Sequence, residues 1–293
     1  MRIGFITCVR LGESCLEELA ALGADLVYLG TIHDGIARNK SGRIYLDDFA
    51  DAHQVPLHKF RNMNDPDSLE VIEASDLDWL YVIGWSQMAK AEVLSIPRRG
   101  VLGIHPTLLP QGRGRASIPW AIIKGLDETG VTMFKLDDGM DTGPILGQVV
   151  VPVEADETAA TLYEKVVEAH RTLIRATYPG ITDGTIKLVA QDEAQATEWP
   201  GRKPSDGRLD PASMTSAEVD RNVRALTHPY PGAFVHLGDG QVLRIWKGRA
   251  GDTVEGHRLT TIDGVYTATE YVVEPLDDWL SIKARNAGRD INR

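Results

Sequence analysis

Sulfur is scarce in this chain: its 293 residues include two cysteines, Cys8 and Cys15. That excludes a disulfide framework and any cysteine-based zinc spacing. Two reduced structural thiols near the first strand and helix are the expectation. Long apolar runs are missing too, since charges interrupt every one before the ~18 residues a spanning helix needs. The N-terminal MRIGFITCVRLGESC lacks an apolar block with a small-residue cleavage site. The expected setting is therefore the cytosol, with no membrane partner. A basic excess is absent: 31 Lys and Arg stand against 42 Asp and Glu, a formal net charge of −11. This disfavours a surface built for nucleic acid, though not a local basic pocket for one phosphorylated small molecule. Finally, no G-x-G-x-x-G follows the first strand; the turn is Val9-Arg10-Leu11-Gly12, which weakens a dinucleotide site.

What is present is an ordinary globular composition, 43% hydrophobic and 25% charged. RIGFITC (2–8) reads as a buried strand, 12–22 as a helix ending at Gly23, and ADLVYLG (24–30) as a second strand. Helix 46–53, strand 55–58, helix 66–74, strand 77–84, helix 88–95 and strand 101–105 follow. This alternation predicts an α/β fold, a doubly wound, mostly parallel Rossmann-like sheet. Residues 33–43, with Arg38, Lys40 and Arg43, read as a polar surface loop. After Thr129, GVTMFKLDDG and PILGQVVVPV read as strands joined by an acidic glycine loop. An amphipathic helix at 158–178 buries Leu162, Val166, Ala169 and Leu173, with Gly180 and Gly184 beyond its end. Strand 186–190 closes this first domain, 1–190. Residues 191–211 read as a polar connector. Residues 212–293 read as a small β-rich domain: a Ser-capped helix at 215–226 and strands at 232–237, 241–248, 257–262 and 264–273. A Gly-Asp-Gly hairpin at 238–240 joins the first two strands, and a barrel-like closure is the expectation.

The stretch 101–146 concentrates the chemistry. His105 ends one strand, and Pro106 and Pro110 stiffen the loop behind it. Gly112 and Gly114 are expected to let backbone approach a ligand. Asp141 lies in a loop between Gly139 and Gly143, where its carboxylate could reach the imidazole. A carboxylate beside a histidine stabilises the imidazolium and fixes its tautomer. Such a pair can take a proton from an attacking amine, which is acyl-transfer chemistry.

These residues carry a resemblance. His105-Pro106-Thr107-Leu108-Leu109-Pro110 followed by Arg113-Gly114 is similar to the first signature of the folate-dependent formyltransferases. Asp137-Asp138-Gly139-Met140-Asp141-Thr142-Gly143 is similar to their second, and Gly130-Val131-Thr132 also matches. The resemblance runs from Met1 to about residue 190 and resumes at Arg224-Ala225-Leu226 and Pro229-Tyr230-Pro231-Gly232-Ala233-Phe234. It implies formyl transfer from 10-formyltetrahydrofolate to a primary amine without a metal, with His105 as base and Asp141 as its partner. It places the pterin between the loop after Ile83 and the 137–143 loop. Backbone groups would hold most of it, with Ile83, Gly84, Trp85, Met88, Asp137, Asp138 and Gly139 as the candidate cofactor-binding residues.

One position departs from the family pattern. The family usually carries Asn two residues before the histidine, as a donor to the formyl oxygen, and here that residue is Gly103. Losing such a donor commonly costs roughly 10²–10³ in rate. A protonated His105, a backbone N–H, a water, or a side chain such as Asn39 or Gln111 could replace it; otherwise the chain would be a silent folate binder or a formyl-folate hydrolase. For the acceptor, the acidic balance and small C-terminal domain favour an amino-sugar nucleotide over methionyl-tRNA or a free amine. Arg113 and Arg115, and more remotely Arg202 and Lys203, are the candidate phosphate contacts. A homodimer through exposed β segments is one arrangement the sequence allows.

Overall fold

The computed structural model describes residues 1–37, 43–238, 240–252 and 255–276. Arg38, Asn39 and Lys40 of the expected surface loop, and Asp239 of the expected hairpin, lie outside them.

The chain up to Pro152 contributes the strands β1 (Arg2–Ile6), β2 (Asp25–Ile32), β3 (Leu57–Phe60), β4 (Trp79–Ile83), β5 (Gly100–His105), the short β6 (Arg113–Gly114), β7 (Glu128–Lys135) and β8 (Ile145–Pro152). All but β6 form one seven-stranded sheet in the order β3-β2-β1-β4-β5-β7-β8. The five strands from β3 to β5 run parallel, and β7 and β8 are antiparallel additions at one edge. Buried runs such as WLYVI in β4 and GVLGIH in β5 are what a sheet covered on both faces requires. The helices between the strands are α1 (Arg10–Ala21), α2 (Asp34–Ala37), α3 (Asp47–His53), α4 (Pro66–Ala74), α5 (Ala91–Ser95) and α6 (Ser117–Ile123). The doubly wound class read from the sequence is the class observed. No helix among the described residues is long and apolar enough to cross a membrane.

Several boundaries differ from the expected ones for identifiable reasons. β3 starts at Leu57 because Pro56 has no N–H to give the ladder; its carbonyl instead accepts from Leu29 N–H. The expected helix 88–95 is shortened to α5. Gln87 and Asn64 hold residues 86–90 as a loop, through Gln87 to Met63 N–H and Arg61 O, and Asn64 to Met88 O and Lys90 N–H. The long helix α7 (Ala159–Asp183) runs through Pro179 and Gly180 rather than stopping before them. Its last turn is anchored by Ile181, which continues the buried stripe of Leu162, Val166, Ala169, Leu173 and Ile174. A Thr158–Thr161 capping box starts α7, and Gly184 ends it at φ 78°. Residues 186–190 do not form a strand. Only Val189 meets the sheet, exchanging both backbone bonds with Ile145, because β8 begins there and offers no further partner.

Beyond α7 come the short strand β9 (Glu198–Trp199), helix α8 (Ser216–Leu226) and the strands β10 (Ala233–His236), β11 (Gln241–Ala250), β12 (His257–Thr261) and β13 (Gly264–Pro275). Thr215, not Ser216, caps α8 and receives Glu218 N–H. The last four strands pair as an antiparallel sheet in the order β10-β11-β13-β12. Among the described residues this sheet is open, with β10 and β12 at its edges, rather than closed into a barrel. Val219, Val223 and Leu226 of α8 are buried, and they share a core cluster with Ile118 and Ile122 of α6 and Leu243 and Ile245 of β11.

Candidate active site

His105 is the last residue of β5 and is buried, with 7% of its surface accessible. Its Nε2 lies 2.8 Å from Gly112 O and 3.4 Å from Ser117 Oγ, and its Nδ1 lies 3.5 Å from Asp141 Oδ2. A carbonyl can only accept, so the neutral ring carries its hydrogen on Nε2, an assignment made from the network. The free electron pair is then on Nδ1, beside the carboxylate. Asp141 sits at φ 57°, a left-handed backbone that is uncommon outside glycine. Its Oδ2 accepts from Gly114 N–H at 2.9 Å. The structure thus brings together the imidazole and carboxylate that the sequence singles out.

The loop after His105 is secured by β7 and β8. Thr132 Oγ1 donates to Thr107 O (2.7 Å) and accepts from Leu109 N–H (3.0 Å) and Gln148 Nε2 (2.9 Å). Gln148 Nε2 also donates to Leu109 O at 2.8 Å. A side chain at Gly130 would begin 2.3 Å from Leu108 Cδ2 and 2.5 Å from Val149 O. The Gly130-Val131-Thr132 motif therefore seats Leu108 and pins the loop.

Gly112 and Gly114 have a structural reason of their own to lack side chains. At Gly112 a Cβ would meet the Trp199 ring at 2.9 Å, and at Gly114 it would meet Trp199 O at 2.4 Å. The connector approaches their backbone: β6 pairs in parallel with β9. Residues 191–211 are accordingly no free tether. Thr197 Oγ1 accepts from Gly112 N–H, and Pro200 O accepts from Trp120 Nε1.

The acidic loop folds back over the sheet face that carries His105. Residues two apart on a strand share a face, so Gly103 lies on the side of His105. A Cβ at Gly103 would meet Leu136 Cδ2 at 2.8 Å. Leu136 thus fills the space above Gly103 where the family's asparagine would project, and the loop passes over it to deliver Asp141. Asp137 Oδ1 ties the loop internally, accepting from Gly139 N–H (3.1 Å) and Thr142 Oγ1 (2.6 Å). Asp138 and Gly139 are exposed. Gly143 admits no side chain, since a Cβ there would lie 1.7 Å from Lys135 O.

On the expected cofactor side, Ile83 ends β4 and its side chain is wholly buried in the core. Gly84 follows at φ 65°. Trp85 is half-buried against Phe60, with ring centroids 5.4 Å apart, and Met88 is exposed. Asn39 lies outside the described residues, and Gln111 is exposed.

The expected phosphate contact Arg113 is corrected. Its side chain is buried, gripped by Glu193 (2.7 and 2.9 Å) and by Gln191 Oε1 (2.8 and 3.2 Å), so its charge is neutralised internally. The hydrogen bond to Glu193 raises the Arg113 guanidinium and holds the Glu193 carboxyl below its ordinary value. Arg115, by contrast, is exposed and reaches Ser86 O at 3.3 Å. Its Cδ passes beside Gly201, 3.4 Å from where a Cβ would stand there. It so borders a basic, aromatic corner, in which the Arg202 guanidinium lies 4.7 Å from the Trp120 ring centroid and Lys124 Nζ lies 5.6 Å from it. Lys203 is exposed.

Sequence reasoning missed Gln191. Its Nε2 donates to both Asp141 O and Gly143 O at 2.8 Å. A glutamine in a polar connector carries no local signal of this. It also missed His170, buried in α7 with Nδ1 2.7 Å from Val166 O. Burial pushes the His170 imidazole down to about 4.

Comparison with known proteins settles the family. A model described as "Formyl transferase" matches residues 19–177, and one described as "Formyl transferase, C-terminal domain" matches residues 202–286. The chain belongs to the formyltransferase family. It is a folate-dependent formyltransferase, with a formyl-folate as its donor. A methionyl-tRNA formyltransferase of Lachnospira eligens is 30% identical over 256 residues, covering 87% of this chain and 80% of that protein. The fold of an N-formyltransferase from Helicobacter canadensis, solved with folinic acid and dTDP-3-aminofucose, superposes with TM-score 0.70 at 16% identity. That superposition covers 92% of this formyltransferase and 99% of the other chain. HypX from Aquifex aeolicus, solved with tetrahydrofolic acid, gives TM-score 0.64 at 18% identity. This chain is covered to 97% there and spans about half of HypX, 48%.

Proposed function

We propose that this formyltransferase moves the formyl group of 10-formyltetrahydrofolate to the primary amine of a nucleotide-linked amino sugar, with His105 as the base and Asp141 as its charge partner. The amine attacks the formyl carbon, and His105 Nδ1 takes the proton that the amine sheds. The resulting imidazolium lies beside the Asp141 carboxylate, whose position Gly114 N–H fixes. As the tetrahedral intermediate collapses, the same proton passes to N10 of the departing folate. The protonated ring is also the proposed donor for the developing oxyanion, a role that Gly103 has no side chain to perform.

The observation that carries the choice of acceptor is where the cations are. In the C-terminal unit Arg224 pairs with Asp220 (2.6 Å), Lys247 with Glu270 (2.8 Å), Arg258 with Asp252 (2.8 Å) and Arg244 with Glu274. These pairs dilute the field that a polyanion needs. Lys124 and Arg202 instead gather around Trp120, and Arg115 borders them one residue along from the Gly114–Asp141 bond. That grouping suits two phosphates and a base at the mouth of the site. Methionyl-tRNA is the second reading, favoured by the 30% identity to the Lachnospira enzyme.

The test is incubation with 10-formyltetrahydrofolate and, separately, a panel of amino-sugar nucleotides, ornithine-type free amines, and charged initiator tRNA. Formylation of a sugar nucleotide is the expected result. Formylation of the tRNA alone overturns the acceptor assignment. Formate release without any acceptor marks a hydrolase, and tight folate binding without transfer to any amine marks a silent binder.

A further inference from the structure

Gln191 uses all of its hydrogen-bonding capacity at one place. The two hydrogens of Nε2 go to Asp141 O and Gly143 O, both at 2.8 Å. Oε1 accepts from Arg113 Nε at 3.2 Å and Nη2 at 2.8 Å. Arg113 directly precedes Gly114, whose N–H holds Asp141 Oδ2. Both ends of that bond are therefore fastened to the same amide: the Asp141 backbone to its nitrogen, and the neighbour of Gly114 to its oxygen. Asp141 needs this support because its φ of 57° is unfavourable for a residue with a side chain. A left-handed non-glycine residue persists when its surroundings over-determine it. Here the over-determination comes from a residue fifty positions further along the chain.

We infer that Gln191 is a positioning residue for formyl transfer: it holds the Asp141 carboxylate at His105 Nδ1 by clamping the carbonyls of Asp141 and Gly143, with Arg113 orienting the clamp. Arg113 is then a support and not a phosphate ligand. Glu193, which neutralises Arg113, is the outer strut. This inference rests on the proposed roles of His105 and Asp141.

Two substitutions separate the two sides of the amide. Gln191→Glu keeps an acceptor for Arg113 and loses both donors to the Asp141 loop. Gln191→Met keeps the side-chain length and loses both sides. If the clamp on Asp141 is what matters, both variants lower kcat by roughly 10–100-fold, with KM for the formyl donor changed less than about threefold. The two variants then agree within about threefold of each other. A double-mutant cycle with Asp141→Asn supplies the readout that a merely structural residue would not move. Once the carboxylate is gone, Gln191→Glu costs less than about twofold further, because the two act as a unit. Gln191→Glu with wild-type kcat overturns the inference, as does a fully additive cycle. Should Asp141→Asn itself keep full activity, the underlying reading of the site fails instead. Thermal melts of each variant identify loss of fold, and Gln191→Asn, which shortens the clamp but keeps its donors, provides a folded fallback whose kcat is expected between those of wild type and Gln191→Met.

Discussion

The loop after His105 and the loop that carries Asp141 meet at one imidazole, yet they are anchored differently. The first is pinned by the strands beside it, through Thr132 and Gln148. Its anchors lie close in sequence and form a readable motif. The second closes on itself through Asp137 and Thr142, and its position over the sheet depends on Gln191 from the connector. The first half of one loop is a product of the sheet; its end at Gly112 and Gly114, and the placing of the other loop, need the connector beyond the sheet. The proposed base needs a fixed ring, whereas its proposed charge partner must be held at the right separation. The difference in anchoring follows that division of labour.

The largest expected effect comes from removing the shared centre of the two loops. His105→Ala should reduce turnover by roughly 10²–10⁴-fold, the usual worth of a positioned base. Folate binding should survive, because the proposed pterin contacts lie on residues 83–88 and on the 137–139 loop and not on the imidazole; equilibrium titration with a folate checks this. An active alanine variant would remove the imidazole from the mechanism. Next comes the clamp on the acidic loop, where the Gln191 variants are read by kcat as described above. If they leave kcat intact, the two loops are equally self-sufficient.

Thr132→Val breaks the other loop. It strands Leu109 N–H and Thr107 O, both on buried residues, which costs about 1–3 kcal/mol for each unsatisfied group. Urea denaturation should register the loss. The effect on kcat should be smaller than that of Gln191→Met, since Gly112 O still orients the ring; the reverse ranking would invert the comparison.

The acid sensitivity of the scaffold must be separated from that of the loops. His170 is neutral in the folded chain, lowered by burial from 6.5 to about 4. Between those values the unfolded chain binds more protons, so stability rises with pH through this window and is lost on acidification. The full span is on the order of 3 kcal/mol, taking about 1.4 kcal/mol per pH unit. His170→Phe should flatten the dependence of unfolding free energy on pH between about 4 and 6.5. An unchanged slope would show that His170 is not the group responsible.

The smallest effect is expected where the acidic loop crosses β5. Gly103→Asn alone should lower activity by roughly fivefold, because the new Cβ forces Leu136 aside. Combining it with Leu136→Ala should restore the rate or exceed it. Equal activity in all three proteins would show that the space above Gly103 does not adjoin the formyl oxygen.

The sheet is legible in the sequence because its strands are continuous apolar runs and its helices carry their own stop signals. Helix 66–74 is readable to the residue from Pro66 and the buried Ile72. His105 and Asp141 are legible because glycine and proline crowd around them. The misreadings share a cause: each concerns a residue whose role is set by a distant partner. Gly112 and Gly114 read as ligand glycines, and nothing near them in sequence announces that Trp199 occupies the space of their missing Cβ. Arg113 reads as a free cation, and its neutraliser Glu193 is 80 positions away.

The pairing of β6 with β9 bears on how such a protein could be taken apart or recombined. A cut at residue 190, where composition shifts, would retain His105, Asp141 and both signatures. It would discard the amide that holds Asp141, the hydroxyl of Thr197 at Gly112 and the backbone of Trp199 at Gly114. A piece that keeps all of these contacts is therefore longer than its motifs and runs on through Trp199.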